Sequence, residues 1–97
     1  MPARIEVEKV AESEFTVRVI EGSSESSHRV TLYRDDFQRI GDGKVEAEEV
    51  VRRSFEFLLE REPKESILAQ FDFGVIARYF PEYEREIRLR LSDASSF

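Results

Sequence analysis

The chain has 97 residues, a formal net charge of −6, 40% apolar and 37% charged residues, and no cysteine. Lack of cysteine excludes a disulfide framework, a thiolate zinc site and a cysteine nucleophile, while overall acidity argues against nucleic-acid binding, which calls for a lysine and arginine surplus. Apolar content this high argues against disorder, and charge this dense confines the apolar residues to a few faces of a single α+β domain spanning 1–97.

The first third of the chain alternates. Ile5 and Val7 sit two apart among Arg4, Glu6 and Glu8. Phe15, Val17 and Val19 repeat the pattern around Thr16 and Arg18, and His28, Val30 and Leu32 do so around Arg29 and Thr31. A period of two marks a strand, because successive side chains leave opposite faces of the backbone. The spacing predicts strands over 4–10, 14–21 and 28–34. The stretch from Ala11 to Glu14 is a short link, and Gly22 to Ser27 is a polar, flexible one. Short links favour antiparallel neighbours, since a parallel crossover needs a dozen or more residues. The expected sheet is a three-stranded antiparallel meander with one apolar face. Thr16, Arg18, Ile20, Arg29, Thr31 and Tyr33 fall on its mixed outer face.

Asp35 to Ile40 reads as a helical turn or an irregular exit, and Gly41-Asp42-Gly43 as a breaker. The period then changes. Ala47, Val50, Val51, Ser54, Phe55, Leu58 and Leu59 recur at helical spacing, predicting one long amphipathic helix over 46–61. Phe57 falls off this stripe. Glu48 and Arg52, and Glu49 and Arg53, stand four apart in the favourable order on its outer face. Pro63 ends that helix and starts a short one over 64–71, with Ile67, Leu68 and Phe71 inward. Asp72 is the N-cap of a helix over 73–80, and Pro81 precedes a last helix over 82–91 lined by Tyr83, Ile87 and Leu91. Glu84 with Arg88 and Glu86 with Arg90 decorate that helix, and Ser92 to Phe97 reads as a frayed tail. The helices are expected to pack on one sheet face.

Chemical motifs are few. His28 is the only histidine, so no histidine pair can bind metal, and it reads as the start of a strand, its ring partly exposed or bonded to backbone. Asp35, Asp36 and Asp42 lack the offsets of a calcium loop and read as turn residues. Asp72-Phe73-Gly74 matches a kinase tripeptide without the rest of the kinase set, and reads as a helix cap followed by a buried Phe. Ser23 to Ser27 lacks a nucleophile elbow, and the four glycines lack phosphate-loop spacing. Arg78, Arg85, Arg88 and Arg90 interleave with Glu82, Glu84 and Glu86, which gives a salt-bridged face in place of a basic strip.

The stretch from Ser54 to Leu68, followed by Phe71-Asp72, Val75-Ile76 and Arg78 to Glu84, resembles a family of short uncharacterised bacterial proteins, with a weaker echo in His28 to Leu32. The resemblance covers roughly the second half. It implies a free-standing bacterial domain and no catalytic residue or cofactor.

The first six residues lack the apolar run of a signal peptide, and no stretch approaches the roughly 18 apolar residues of a membrane span, so a cytoplasmic protein is expected. The leading functional expectation is a non-enzymatic protein-interaction or self-associating domain without a cofactor. Phe73, Tyr79, Phe80 and Tyr83 form its expected contact surface, because such short helices cannot easily bury so many aromatics. Two alternatives are a carboxylate cleft near His28 and Tyr33, serving a small enzyme or ligand-binding domain, and a regulatory nucleic-acid domain using the C-terminal arginines.

Overall fold

The computed structural model describes residues 3–41 and 45–94 of the chain, so Asp42, Gly43 and the end of the tail, Ser95 to Phe97, lie outside the described residues. Three strands come first: β1 (Arg4–Lys9), β2 (Glu14–Glu21) and β3 (Ser24–Thr31). Helix α1 (Arg34–Gly41) and the long α2 (Ala47–Arg61) follow, then a 3₁₀ turn (Lys64–Ser66). Strand β4 (Gln70–Asp72) leads directly into α3 (Phe73–Tyr79), and α4 (Tyr83–Ala94) is last. The α+β class and the antiparallel β1-β2-β3 meander are as the alternation predicts.

The expected sheet of three strands is corrected to four, in the order β1-β2-β3-β4, with β4 parallel to β3. The helix expected over 64–71 is also absent. One 3₁₀ turn and β4 occupy that stretch, because Phe71 pairs with Val30 in place of joining a helical stripe. Strand β3 begins at Ser24, four residues earlier than the polar composition suggests. Glu21 pairs with Ser24 across a two-residue turn. Gly22 takes φ 61° there, a left-handed conformation that costs glycine little.

The inward residues of the sheet are Phe15, Val17, Val19, Val30 and Leu32, all buried. On the outer face, Arg18 bonds Glu6 of β1 at 2.9 Å and Glu25 of β3 at 2.8 Å, an exposed ladder across three strands. Each such pair contributes roughly 0–1 kcal/mol, so the apolar inner face carries the stability.

Helix α2 lies on that inner face. Its Phe55 packs against His28 of β3 and Phe71 of β4, at ring separations of 5.4 and 6.1 Å. Phe57, off the predicted stripe, is fully buried on another side, edge-on to Tyr83 of α4 at 5.3 Å. Of the predicted helix-surface pairs, Glu49 to Arg53 forms at 2.8 Å. Arg90 instead reaches Glu60 of α2, and Glu84 binds Arg39 of α1 at 3.1 Å. Partners on other elements thus displace the local ones. No helix among the described residues is long and apolar enough to cross a membrane.

Besides the Arg90–Glu60 pair at its rim, the α2–α4 interface contains a buried polar link. Ser54 Oγ donates to the Val50 carbonyl at 2.7 Å, which leaves it to accept from the Tyr83 hydroxyl at 2.6 Å. Burial pushes the Tyr83 phenol far above the usual tyrosine range, against the hydrogen bond to Ser54, which acts the other way. Tyr83→Phe removes one hydrogen bond and should cost about 1 kcal/mol. Ser54→Ala strands a buried hydroxyl and should cost more, about 1–3 kcal/mol, with the double variant recovering part of that loss. Urea unfolding at neutral pH measures all three. Above about pH 10 the tyrosine ionises in the unfolded chain and stays neutral in the folded one, so the wild type should lose stability there. Tyr83→Phe should lose less over the same pH range.

Candidate functional site

The backbone around the end of α2 creates a recess. The Glu62 N–H closes the last helical turn on the Leu58 carbonyl at 2.8 Å, and Pro63, which lacks an N–H, stops the helix. The 3₁₀ turn is closed by the bond from the Ser66 N–H to the Pro63 carbonyl at 2.9 Å. The chain then passes through Leu68 and Ala69, outside any helix, into β4.

Two residues of β3 fix that run. The Arg29 N–H donates to the Ala69 carbonyl at 2.7 Å. His28 lies 2.8 Å from the Leu68 carbonyl through Nδ1 and 2.8 Å from the Ser26 hydroxyl through Nε2. A carbonyl only accepts, so Nδ1 carries a proton. The sole histidine is thus a buried tie between β3 and a segment 40 residues away.

At the far side of the recess, Asp72 Oδ1 accepts the Gly74 N–H at 2.8 Å and caps α3, the role its spacing predicts. Helix α3 runs only from Phe73 to Tyr79 before Pro81. Its Val75, Ile76, Tyr79 and Phe80 turn toward the end of α2 and the 3₁₀ turn, leaving a groove of about 250 Å³. Leu58, Ile67, Phe71 and Ile76 form a buried floor. Leu68, 51% exposed, and Tyr79, 71% exposed, rise from the groove lining into solvent. Glu62 is its one charged lining residue and Ser66 its one small polar one.

This geometry divides the four aromatics expected to form a contact surface. Tyr79 and Phe80 line the groove. Phe73 and Tyr83 do not: both are buried in the core, at 1% and 0% exposure. Phe73 packs beside Phe71, and Tyr83 is held between Phe57 and Ser54. Sequence reasoning missed Leu68 and Glu62 as groove residues. A helix over 64–71 turns Leu68 inward, whereas the irregular link between the 3₁₀ turn and β4 leaves it exposed.

The other candidate centres fall elsewhere. His28 is buried and Tyr33 is 55% exposed, and neither lines this groove or the second cavity. That second cavity, about 210 Å³, places charged Lys9, Glu12 and Arg34 beside Phe15, Leu32 and Phe37. Asp35 and Asp36 lie in the first turn of α1, and Asp36 pairs with Arg39. Among the described residues no three His, Asp or Glu side chains converge as metal ligands. Arg88 donates to the Arg39 carbonyl and Arg90 to Glu60, so both tie α4 to its neighbours. No family model, curated protein or solved structure matches the chain.

His28→Ala removes both ring bonds and opens a gap beside Phe55. The expected loss is about 2–4 kcal/mol. Hydrogen exchange should show the β3–β4 ladder, the Arg29 amide included, losing more protection than the β2–β3 ladder. Equal losses would mean that His28 contributes packing alone.

Proposed function

We propose that the chain is a small protein-interaction domain, and that the groove between α2, the 3₁₀ turn and α3 grips apolar side chains of a partner protein. The observation that carries this reading is the pair of exposed apolar residues, Leu68 and Tyr79, on one apolar recess. Single exposed apolar residues are ordinary on any surface. Two of them bordering a concave apolar floor make a patch of the kind that marks protein contacts.

Size favours the same reading. At about 250 Å³ the groove falls below the roughly 300–1,000 Å³ of small-molecule pockets. It suits one or two anchor side chains from a longer segment, which is how hot spots engage a partner. Its lining holds one carboxylate and no histidine.

A phage-displayed random peptide library panned on the full chain tests this. Enriched peptides are then measured by fluorescence anisotropy on Tyr79→Ser, Leu68→Ser and, as a control outside the groove, Leu89→Ser. All three side chains are more than half exposed, so the fold tolerates the changes. The groove variants should weaken binding about tenfold or more, equivalent to about 1.4 kcal/mol, with little change at Leu89. Failure to enrich any peptide, or equal binding by all three variants, would overturn the proposal.

A further inference from the structure

We infer that the segment received by this groove is a basic amphipathic one, with apolar anchors beside a lysine or arginine that meets Glu62. This rests on the reading of the groove as a docking surface. It adds the chemistry of the occupant.

Glu62 is the only charged side chain lining the groove. Among the described residues it has no ion pair and no side-chain hydrogen bond. The bases nearest in sequence are engaged elsewhere. Arg61 binds Glu60 and Glu82 and lies over the Phe57 ring at 3.7 Å. Lys64, its side chain covered, binds Glu21 at 3.1 Å and Glu65. Hydrogen bonds donated to Glu65 and Glu21 hold the Lys64 ammonium above the usual lysine range, so it stays a committed cation. Other carboxylates near this end of the molecule, Glu21, Glu60, Glu65 and Glu82, each face a Lys or Arg. Among the described residues Glu62 faces none, and it borders the apolar floor of the groove, so its carboxylate is open to an incoming cation.

Two longer-range effects have the same sign. Glu62 is the C-cap of the 15-residue α2, whose dipole places negative potential at that end. The chain as a whole carries −6, which attracts a basic segment during encounter and repels a second copy of the same charge. Apolar anchors supply the grip, and the cation at Glu62 sets the direction in which the segment lies.

Two synthetic peptides test the inference. They share an amphipathic Leu/Phe face and differ at one neighbouring position, Lys in one and Glu in the other. Fluorescence anisotropy gives their affinities for the wild type, Glu62→Gln, Glu62→Lys and Tyr79→Ser, each first checked by thermal unfolding. The wild type should prefer the Lys peptide by about five- to tenfold, with the preference shrinking in higher salt. Glu62→Gln should remove the preference and Glu62→Lys should invert it. If both peptides bind the wild type equally and Tyr79→Ser weakens both, the groove binds partners but the inferred charge selection is wrong. Without measurable binding of either peptide, the inference and the docking reading fall together.

Discussion

Helix α2 is buried from two directions at once, and the arrangement of the other elements follows from that constraint. Phe55 faces the sheet, against His28 and Phe71, while Phe57 faces α4, against Tyr83. A surface helix has one apolar stripe, and a helix with two needs a second cover. Burying a Phe contributes roughly 1.5–3 kcal/mol, whereas an exposed ion pair contributes roughly 0–1. The aromatic contacts therefore hold α4 in place, and the pairs Arg90–Glu60 and Arg61–Glu82 align it. Arg61 adds its guanidinium stacked on the Phe57 ring.

The sheet topology follows from the same helix. After α2 has crossed the inner face, the chain is on the helical layer and must return to the sheet. It does so at the one open place beside β3, and a connection through helices permits a parallel strand there. Only Gln70, Phe71 and Asp72 pair before the Asp72 cap starts α3. Because β4 is so short, α3 begins close by, and the space between α2 and α3 is filled incompletely.

The parts legible in the sequence are those with repeated periods. Strands β1 and β2 and the whole of α2 were readable because alternation marks the first two and a long helical stripe marks the third. Three residues of β4 offer no period, and Ile67, Leu68 and Phe71 fit a helical face as well as they fit a turn and a strand. The polar composition of Ser24 to Ser27 concealed the first half of β3, whose pairing is set by its neighbour β2 and by Gly22. At the site, the aromatic surplus was visible but not its division. Tyr83 and Tyr79 look alike in sequence, and only the off-stripe Phe57 and the hydroxyl of Ser54 draw Tyr83 inside. Glu62 carried no signal, because its isolation depends on where Arg61 and Lys64 find their partners.

Groove and core are not separate features, since they share Phe80. Its ring lines the groove and also meets Phe57 edge-on, at 5.8 Å and 85°. Phe57 in turn contacts Tyr83, which bonds Ser54 inside the α2–α4 interface. The floor residue Phe71 likewise touches Phe55, and the exposed Leu68 has its carbonyl bonded to the buried His28. Side chains that an occupant would press upon are therefore the outer members of the contacts that hold α2 between sheet and α4. A ligand that binds only the folded chain stabilises it by mass action. Under the proposed docking, an occupant would press on Phe71, which meets Phe55 on the sheet side of α2, and on Phe80, which meets Phe57 on its α4 side.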